Sequence, residues 1–159
     1  MTVRVRDAVR ADAPLILKFI EDLADYEKLR HEAVASVADL ERELFGEHPK
    51  VFCQIAESDG QAAGFALWFY TFSTFVGRHG IWLEDLFVDP ARRGHGIGKA
   101  LLVDLAQRCV RENLGRFEWA VLDWNQPSID FYIAQGATFM DDWRRCRVDG
   151  AALAKLGGA

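Results

Sequence analysis

Residues 2–6, TVRVR, alternate apolar and basic positions, as a half-exposed strand does. The period then lengthens. Asp12 followed by Pro14 opens a helix that the spacing carries to about Leu29, with Leu15, Phe19, Ile20 and Leu23 as its apolar stripe. A second, shorter helix is predicted from Ser36 as N-cap to a stop at Gly46, with Leu40 and Leu44 on one side. Strands near 51–57 and 62–72 flank Ser58-Asp59-Gly60-Gln61, whose Asp-Gly pair is a hairpin signal, so the two should run antiparallel. A third strand, Ile81 to Val88, leads through Asp89-Pro90 into a basic, glycine-rich loop, after which Ile97, Leu101, Leu105 and Cys109 mark a long helix at steps of four.

Phe117 to Leu122 reads as a further strand, Asn125 to Gln135 as a helix ended by Gly136, and residues 138–149 as one more strand pair, before a Gly-Gly-Ala end expected to fray. Antiparallel runs followed by a strand, helix, strand crossover predict a mixed α+β fold whose sheet is partly parallel. The 159 residues carry no interdomain linker, repeat or low-complexity tract, and are expected to form one domain. Gly60 to Gly77 lacks charge, but its polar interruptions and the aromatic run Phe65-Ala-Leu-Trp-Phe-Tyr-Thr-Phe72 suit a buried strand better than a membrane span.

Half the residues are apolar, which excludes extended disorder. A net charge of −5 argues against general affinity for nucleic acid or anionic membranes and suits a cationic partner. Cys53, Cys109 and Cys146 are odd in number and form no C-x-x-C pair, so they are expected to be buried thiols rather than a disulfide framework. The N-terminus lacks a continuous apolar signal core; with reduced thiols this predicts a cytoplasmic protein.

Arg92-Arg93-Gly94-His95-Gly96-Ile97-Gly98-Lys99 lies between a strand and a helix, so backbone N–H groups and the helix's positive end converge on one spot suited to an anion. The letters fit neither a P-loop, which needs Gly at 93 and Ser or Thr at 100, nor a G-x-G-x-x-G fingerprint. A glycine-rich turn without a ligand is the plainer alternative. The run R-G-H-G-I-G, preceded by Leu83-Glu-Asp-Leu-Phe-Val-Asp-Pro90, resembles the acetyl-CoA signature of the GNAT superfamily of N-acetyltransferases. Asp25-Tyr-Glu27, Phe45-Gly-Glu-His-Pro49, Ala120-Val-Leu-Asp-Trp-Asn125 and Pro127-Ser-Ile-Asp-Phe-Tyr132 extend the likeness to the diamine acetyltransferase branch, which includes spermidine/spermine and thialysine N-acetyltransferases. The resemblance implies a central, mostly antiparallel sheet flanked by helices, acetyl-CoA as co-substrate and a homodimer. It implies that amides from Arg93 through Gly94, His95, Gly96 and Ile97 to Gly98, with Lys99, hold the CoA diphosphate. Phe87, Val88, Asn125, Ser128 and Tyr132 complete the coenzyme site, and the pantetheine arm runs between strands 81–88 and 117–122. His95 is expected to face solvent, without a catalytic part.

Glu84 and Asp85 interrupt an otherwise apolar strand, one on each alternating face, in a segment expected to be covered on both sides. A buried carboxylate needs a cation, donors or water, so each residue taken alone is equally a structural ion pair or a functional group. Chemistry distinguishes their uses: an amine of pKa near 10.4 is only about one part in 2,500 neutral at pH 7, and the charged form cannot attack a thioester. A carboxylate in direct contact would hold the proton on, so Glu84 is expected to act as base through a water, while the resemblance gives Asp85 the positioning of the cation. Asn125 can cap a helix with Pro127 in its first turn, placing Ile129, Tyr132 and Ile133 on its inward stripe. Spacing alone makes Tyr132 an ordinary core tyrosine; the resemblance makes it the acid that protonates the departing thiolate. An amide near Phe87 or Val88 would polarise the acetyl oxygen, with direct transfer in a ternary complex and no cysteine nucleophile.

Tyr26, Glu27 and Trp143 match family positions lining the acceptor pocket, where an aromatic face and an acid grip an amine; surface packing is their alternative. Ser73 and Phe75 stand where polyamine enzymes carry aspartate and tryptophan, and Ser73-Thr74 with residues 120–125 look closer to the thialysine type. A small lysine-like amino acid is therefore the first expected acceptor and a diamine the second. A non-catalytic acetyl-CoA-binding module and a protein acetyltransferase are the rival readings.

Overall fold

A computed structural model describes all 159 residues. Two compact units divide the chain, Met1–Leu122 and Asp123–Ala159. The first holds a five-stranded sheet in sequential order: β1 (Val3–Asp7), β2 (Phe52–Ser58), β3 (Gln61–Ser73), β4 (Arg78–Val88) and β5 (Phe117–Trp119). All neighbours are antiparallel except β4 and β5, which are joined through the helix α3 (Ile97–Arg111) and run parallel. This is the expected mixed, mostly antiparallel sheet. The turn between β2 and β3 puts Asp59 and Gly60 at φ 51° and 79°, the paired left-handed residues that match a hairpin's twist.

Alternation along the strands divides the core. Cys53, Ile55, Phe65, Leu67 and Phe87 pack with Ala13, Ile16 and Phe19 of α1 (Ala13–Tyr26) and with Leu40 and Leu44 of α2 (Val37–Phe45). The alternate residues Gln54 and Trp68 hydrogen-bond to one another, and Arg108 of α3 lies over the Trp68 ring at 5.1 Å, so α3 covers the opposite face. Ser36 caps α2 as expected: its Oγ accepts from the Asp39 N–H, and the Asp39 carboxylate accepts from the Ser36 N–H at 2.8 Å.

Helix α1 ends at Tyr26, short of the expected Leu29. Lys28 takes φ 63°, its N–H bonds the Asp25 carbonyl, and the Leu29 N–H bonds the Ala24 carbonyl at 2.8 Å. These are the two bonds of a Schellman closure, here built on lysine instead of the usual glycine. The centre of the buried stripe is Ile16, beside Phe19, with Leu15, Ile20 and Leu23 at its margins.

The second unit contains α4 (Gln126–Ala134) and α5 (Gly150–Leu156). The strand pair expected over 138–149 is absent; the segment is irregular and exposed, with a turn in which the Trp143 N–H bonds the Met140 carbonyl. The doublets Asp141-Asp142 and Arg144-Arg145 break any two-residue period, and no partner strand satisfies the backbone. The Ala- and Leu-rich stretch that follows favours the helix that forms. β5 is also shorter than the expected 117–122. No helix is long and apolar enough to cross a membrane.

Candidate active site

The pairing of β3 with β4 slips by one residue at the site. Leu67 opposes Asp85 but Trp68 opposes Leu83, leaving Glu84 as the extra residue of a β-bulge. The bulge reverses the phase of the strand. Ile81 and Leu83 share the face of Trp68, whereas Asp85 and Phe87 share that of Leu67 and Phe65, under α1. The expectation of unbroken alternation, with Glu84 and Asp85 on opposite buried faces, is thereby corrected. Glu84 is exposed, and the Trp82 indole Nε1 donates to its Oε2 at 2.9 Å, drawing the carboxylate to the side that Asp85 faces.

Asp85 is only partly exposed and has its carboxyl pushed up to about 7, first by burial and then by the neighbouring charges of Glu84 and Glu27. Glu27 closes α1, and burial raises its carboxyl as well. The first unit thus gathers Glu27, Glu84 and Asp85 where each added negative charge is costly and a cation would relieve the cost.

The β4–β5 ladder stops at the bulge. It runs from Ile81 opposite Phe117 to Leu83 opposite Trp119, so the segment through Phe87 and Val88 has a strand neighbour on the β3 side alone. That edge has no strand neighbour, which suits an extended ligand, although the Val88 carbonyl already accepts from the Arg93 side chain. At the end of β4, the Asp89 N–H bonds the Ala63 carbonyl at 2.8 Å, and the Asp89 side chain accepts from the Ala91 N–H. The Arg92 guanidinium ties back to the Ser58 carbonyl and Gln61. The loop leaves the sheet on a fixed path.

Gly94 and Gly96 have φ 81° and 77°, and a Cβ at either would meet no atom within 4 Å. Their freedom is used for the turn and for open space above it. Gly96 occupies the N-cap of α3 without a side chain, so the first amides of the helix, from Ile97 through Gly98 and Lys99, receive no side-chain cap. Ile97 is buried and anchors the helix end, while His95 and Lys99 are exposed, as expected for His95. Uncapped amides, a helix's positive end and unobstructed glycines fit a diphosphate.

Arg93 connects the loop to the end of α1 and to β4. Its guanidinium lies 5.1 Å from the centre of the Tyr26 ring and 5.5 Å from that of Phe87, while its Nε donates to the Val88 carbonyl at 3.0 Å. Neither this side-chain role nor that of Trp82 is signalled in the sequence reading, although the aromatic residues next to Glu27 and before Glu84 are the available clue.

The remaining candidates belong to the second unit. The Asn125 side chain accepts from the Ser128 N–H and caps α4, with Asn125 buried. Tyr132 is half-buried, its ring 5.5 Å from that of Phe131 and its carbonyl accepting from the Gln135 and Ala137 N–H groups. Ile133, expected on the inward stripe with Tyr132, is 51% exposed; Trp143 stands exposed in the irregular segment. Of the cysteines, Cys53 is buried and Cys109 half-buried, with burial raising both thiols, but Cys146 is exposed, contrary to expectation.

Residues 17–137 match the Acetyltransferase (GNAT) family. Thialysine N-epsilon-acetyltransferase of Sus scrofa is 35% identical, over 99% of this chain and 98% of its own. L-ornithine N5-acetyltransferase of Arabidopsis thaliana is 31% identical, over 96% of this chain and 87% of its own. An integron cassette protein from the mobile metagenome of V. cholerae superposes with a TM-score of 0.82 at 28% identity, covering 100% of this chain and 99% of that one. With the mixed sheet and the glycine loop at the head of α3, these likenesses establish that the chain belongs to the GNAT acetyltransferase family, an acyltransferase of the branch that holds the thialysine N-epsilon-acetyltransferases, and that its family draws acetyl groups from acetyl-CoA.

Proposed function

We propose that the chain, residues 1–159 acting as one acetyltransferase domain, transfers the acetyl group of acetyl-CoA to the terminal primary amine of a small lysine-like amino acid such as thialysine. One observation carries the reading: a single stretch of β4 joins an uncapped helix N-terminus suited to a diphosphate with the carboxylates of Glu27, Glu84 and Asp85. A cation site at Glu84 and Asp85, a few residues before the end of β4, and an anion site in the loop beyond that end suit an amine and a coenzyme meeting along one short stretch of backbone. Relatives named for thialysine and ornithine, both amino acids with a terminal amine, support that acceptor class.

In this reading Tyr26, Glu27, Asp85 and Trp143 seat the ammonium group. Glu84, solvent-exposed and steadied by Trp82, takes the ammonium proton through a water, a removal representing about 4.6 kcal/mol at pH 7 for a lysine-like amine. Acetyl-CoA supplies the thioester. The amine nitrogen forms the new C–N bond as the C–S bond breaks, an amide of Phe87 or Val88 donates to the acetyl oxygen, and Tyr132 gives its phenolic proton to sulfur, being reprotonated through solvent by the proton that the nitrogen sheds as the amide forms. Loop amides from Arg93 to Gly98, with Lys99, Asn125 and Ser128, hold the coenzyme. Small diamines are the second acceptor class, favoured by the same carboxylates; a homodimer in the cytoplasm is the expected setting.

Thiol release from acetyl-CoA with thialysine, lysine, ornithine, putrescine, spermidine or a lysine peptide tests the reading. It predicts consumption of thialysine and lysine first, accelerating as pH rises until a donor group titrates. Coenzyme binding without turnover of any amine would leave a binding module instead, and turnover of the peptide alone a protein acetyltransferase.

A further inference from the structure

The aromatic seat beside the acidic cluster already carries a cation. Arg93 sets its guanidinium 5.1 Å from the Tyr26 ring centre and 5.5 Å from that of Phe87, both within cation–π range, and its Nε is held by the Val88 carbonyl at 3.0 Å. Tyr26 is the last residue of α1 and adjoins Glu27, one of the acids whose charge bears on Asp85. An ammonium that uses the Tyr26 ring therefore meets a like charge already lying against it. The same arginine heads the glycine loop, one residue before Gly94 and four before Ile97, where α3 begins.

We propose that the Arg93 side chain is a plug on the amine seat that the diphosphate of acetyl-CoA withdraws, so that coenzyme binding opens the acceptor site. The inference rests on the function proposed above. Charge-assisted, bidentate hydrogen bonds from a guanidinium to a phosphate are stronger than the contact of the exposed Arg93 with the half-buried Tyr26 ring and the edge of Phe87, so a diphosphate at the α3 N-terminus outcompetes the two rings for Arg93. Removing the plug takes the guanidinium off the Tyr26 ring and removes the like charge together. The two ligands then reinforce one another, and reciprocity requires the amine to tighten coenzyme by the same factor. Arg93 is thus a positioning residue that sets binding order, acting through Tyr26 rather than on the reacting atoms.

Calorimetry on the full chain reads this without turnover. Thialysine is titrated into free protein and into protein saturated with CoA, which carries the diphosphate but no acetyl group. Wild type should bind thialysine about tenfold more tightly with CoA present. In Arg93→Met the free protein should bind thialysine about as tightly as its CoA-saturated form, and in steady state its KM for acetyl-CoA should rise while that for the amine does not. Tyr26→Leu should weaken thialysine in both forms and also abolish the coupling, giving a second route if Arg93→Met folds poorly. Coupling in Arg93→Met equal to wild type, or none in wild type, overturns the plug. Failure of the protein to bind CoA or to acetylate any small amine would instead overturn the underlying function, so the two failures are distinguishable.

Discussion

Replacing Asp85 by asparagine tests the electrostatics of the acidic cluster without reference to any ligand. Burial, with Glu84 and Glu27, moves this carboxyl from 3.8 to about 7 in the folded chain. The folded state therefore holds the Asp85 proton more tightly than the unfolded state does. The stability contributed by that proton is complete below pH about 4 and is lost as pH rises through about 7. About three units at 1.36 kcal/mol each set a ceiling near 4 kcal/mol, and screening at the partly exposed edge of the side chain brings the expected loss to about 2–4 kcal/mol. Asparagine keeps the shape and cannot ionise. Urea unfolding of both proteins from pH 4 to 9 should give a stability difference that is small at pH 4, grows in favour of the Asp85→Asn variant through pH 7 and levels above pH 8. Other groups titrate in both proteins: Asp12, for one, is held low by its hydrogen bond to Arg6 and loses that stabilisation as pH falls. Taking the difference cancels them. A difference independent of pH, or a variant less stable at every pH, would refute the reasoning that Asp85 is a strained anion waiting for a cation.

Ser36→Ala removes the N-cap of α2 and should cost about 1 kcal/mol in chemical denaturation with no change in acetyl-CoA affinity. Gly96→Val places a β-branched residue at φ 77°, which should cost about 1–2 kcal/mol of stability and weaken acetyl-CoA binding at least tenfold, as read by calorimetry. Tyr132→Phe should lower kcat by about 10²-fold or more while leaving amine binding nearly unchanged, if its hydroxyl is the acid that protonates sulfur; unaltered turnover would remove that role. Cys109→Ser should turn over within about twofold of wild type, since burial raises its thiol and disfavours the thiolate a nucleophile needs.

What the sequence discloses depends on whether the determining signal is local. The α2 cap and the Asn125 cap of α4 are written in side chains that bond their own neighbourhood, the Asp59-Gly60 hairpin in residue types that accept a left-handed backbone, and all three appear where the letters put them. The end of α1 is equally local, but it is closed by a left-handed Lys28, a residue whose type carries no such signal. The strand pair expected over 138–149 does not form, because a strand is defined by its neighbour and the letters of this segment name none.

The Glu84 bulge is the instructive case, because it changes what the two acidic letters mean. Read as a regular strand, Glu84 and Asp85 part to opposite faces, each an isolated burial problem. The single-residue slip against β3 instead turns both towards α1, where Glu27 adds its charge and Asp85 is driven towards neutrality. The same slip coincides with the end of pairing to β5, which leaves the edge of Phe87 and Val88 without a strand neighbour. One irregularity thus produces both halves of the candidate site, a carboxylate cluster that gains by receiving a cation and a backbone edge that no strand covers, suited to an extended ligand. Neither is legible from spacing, since the bulge is set by the register of two strands and not by the residue types in either one.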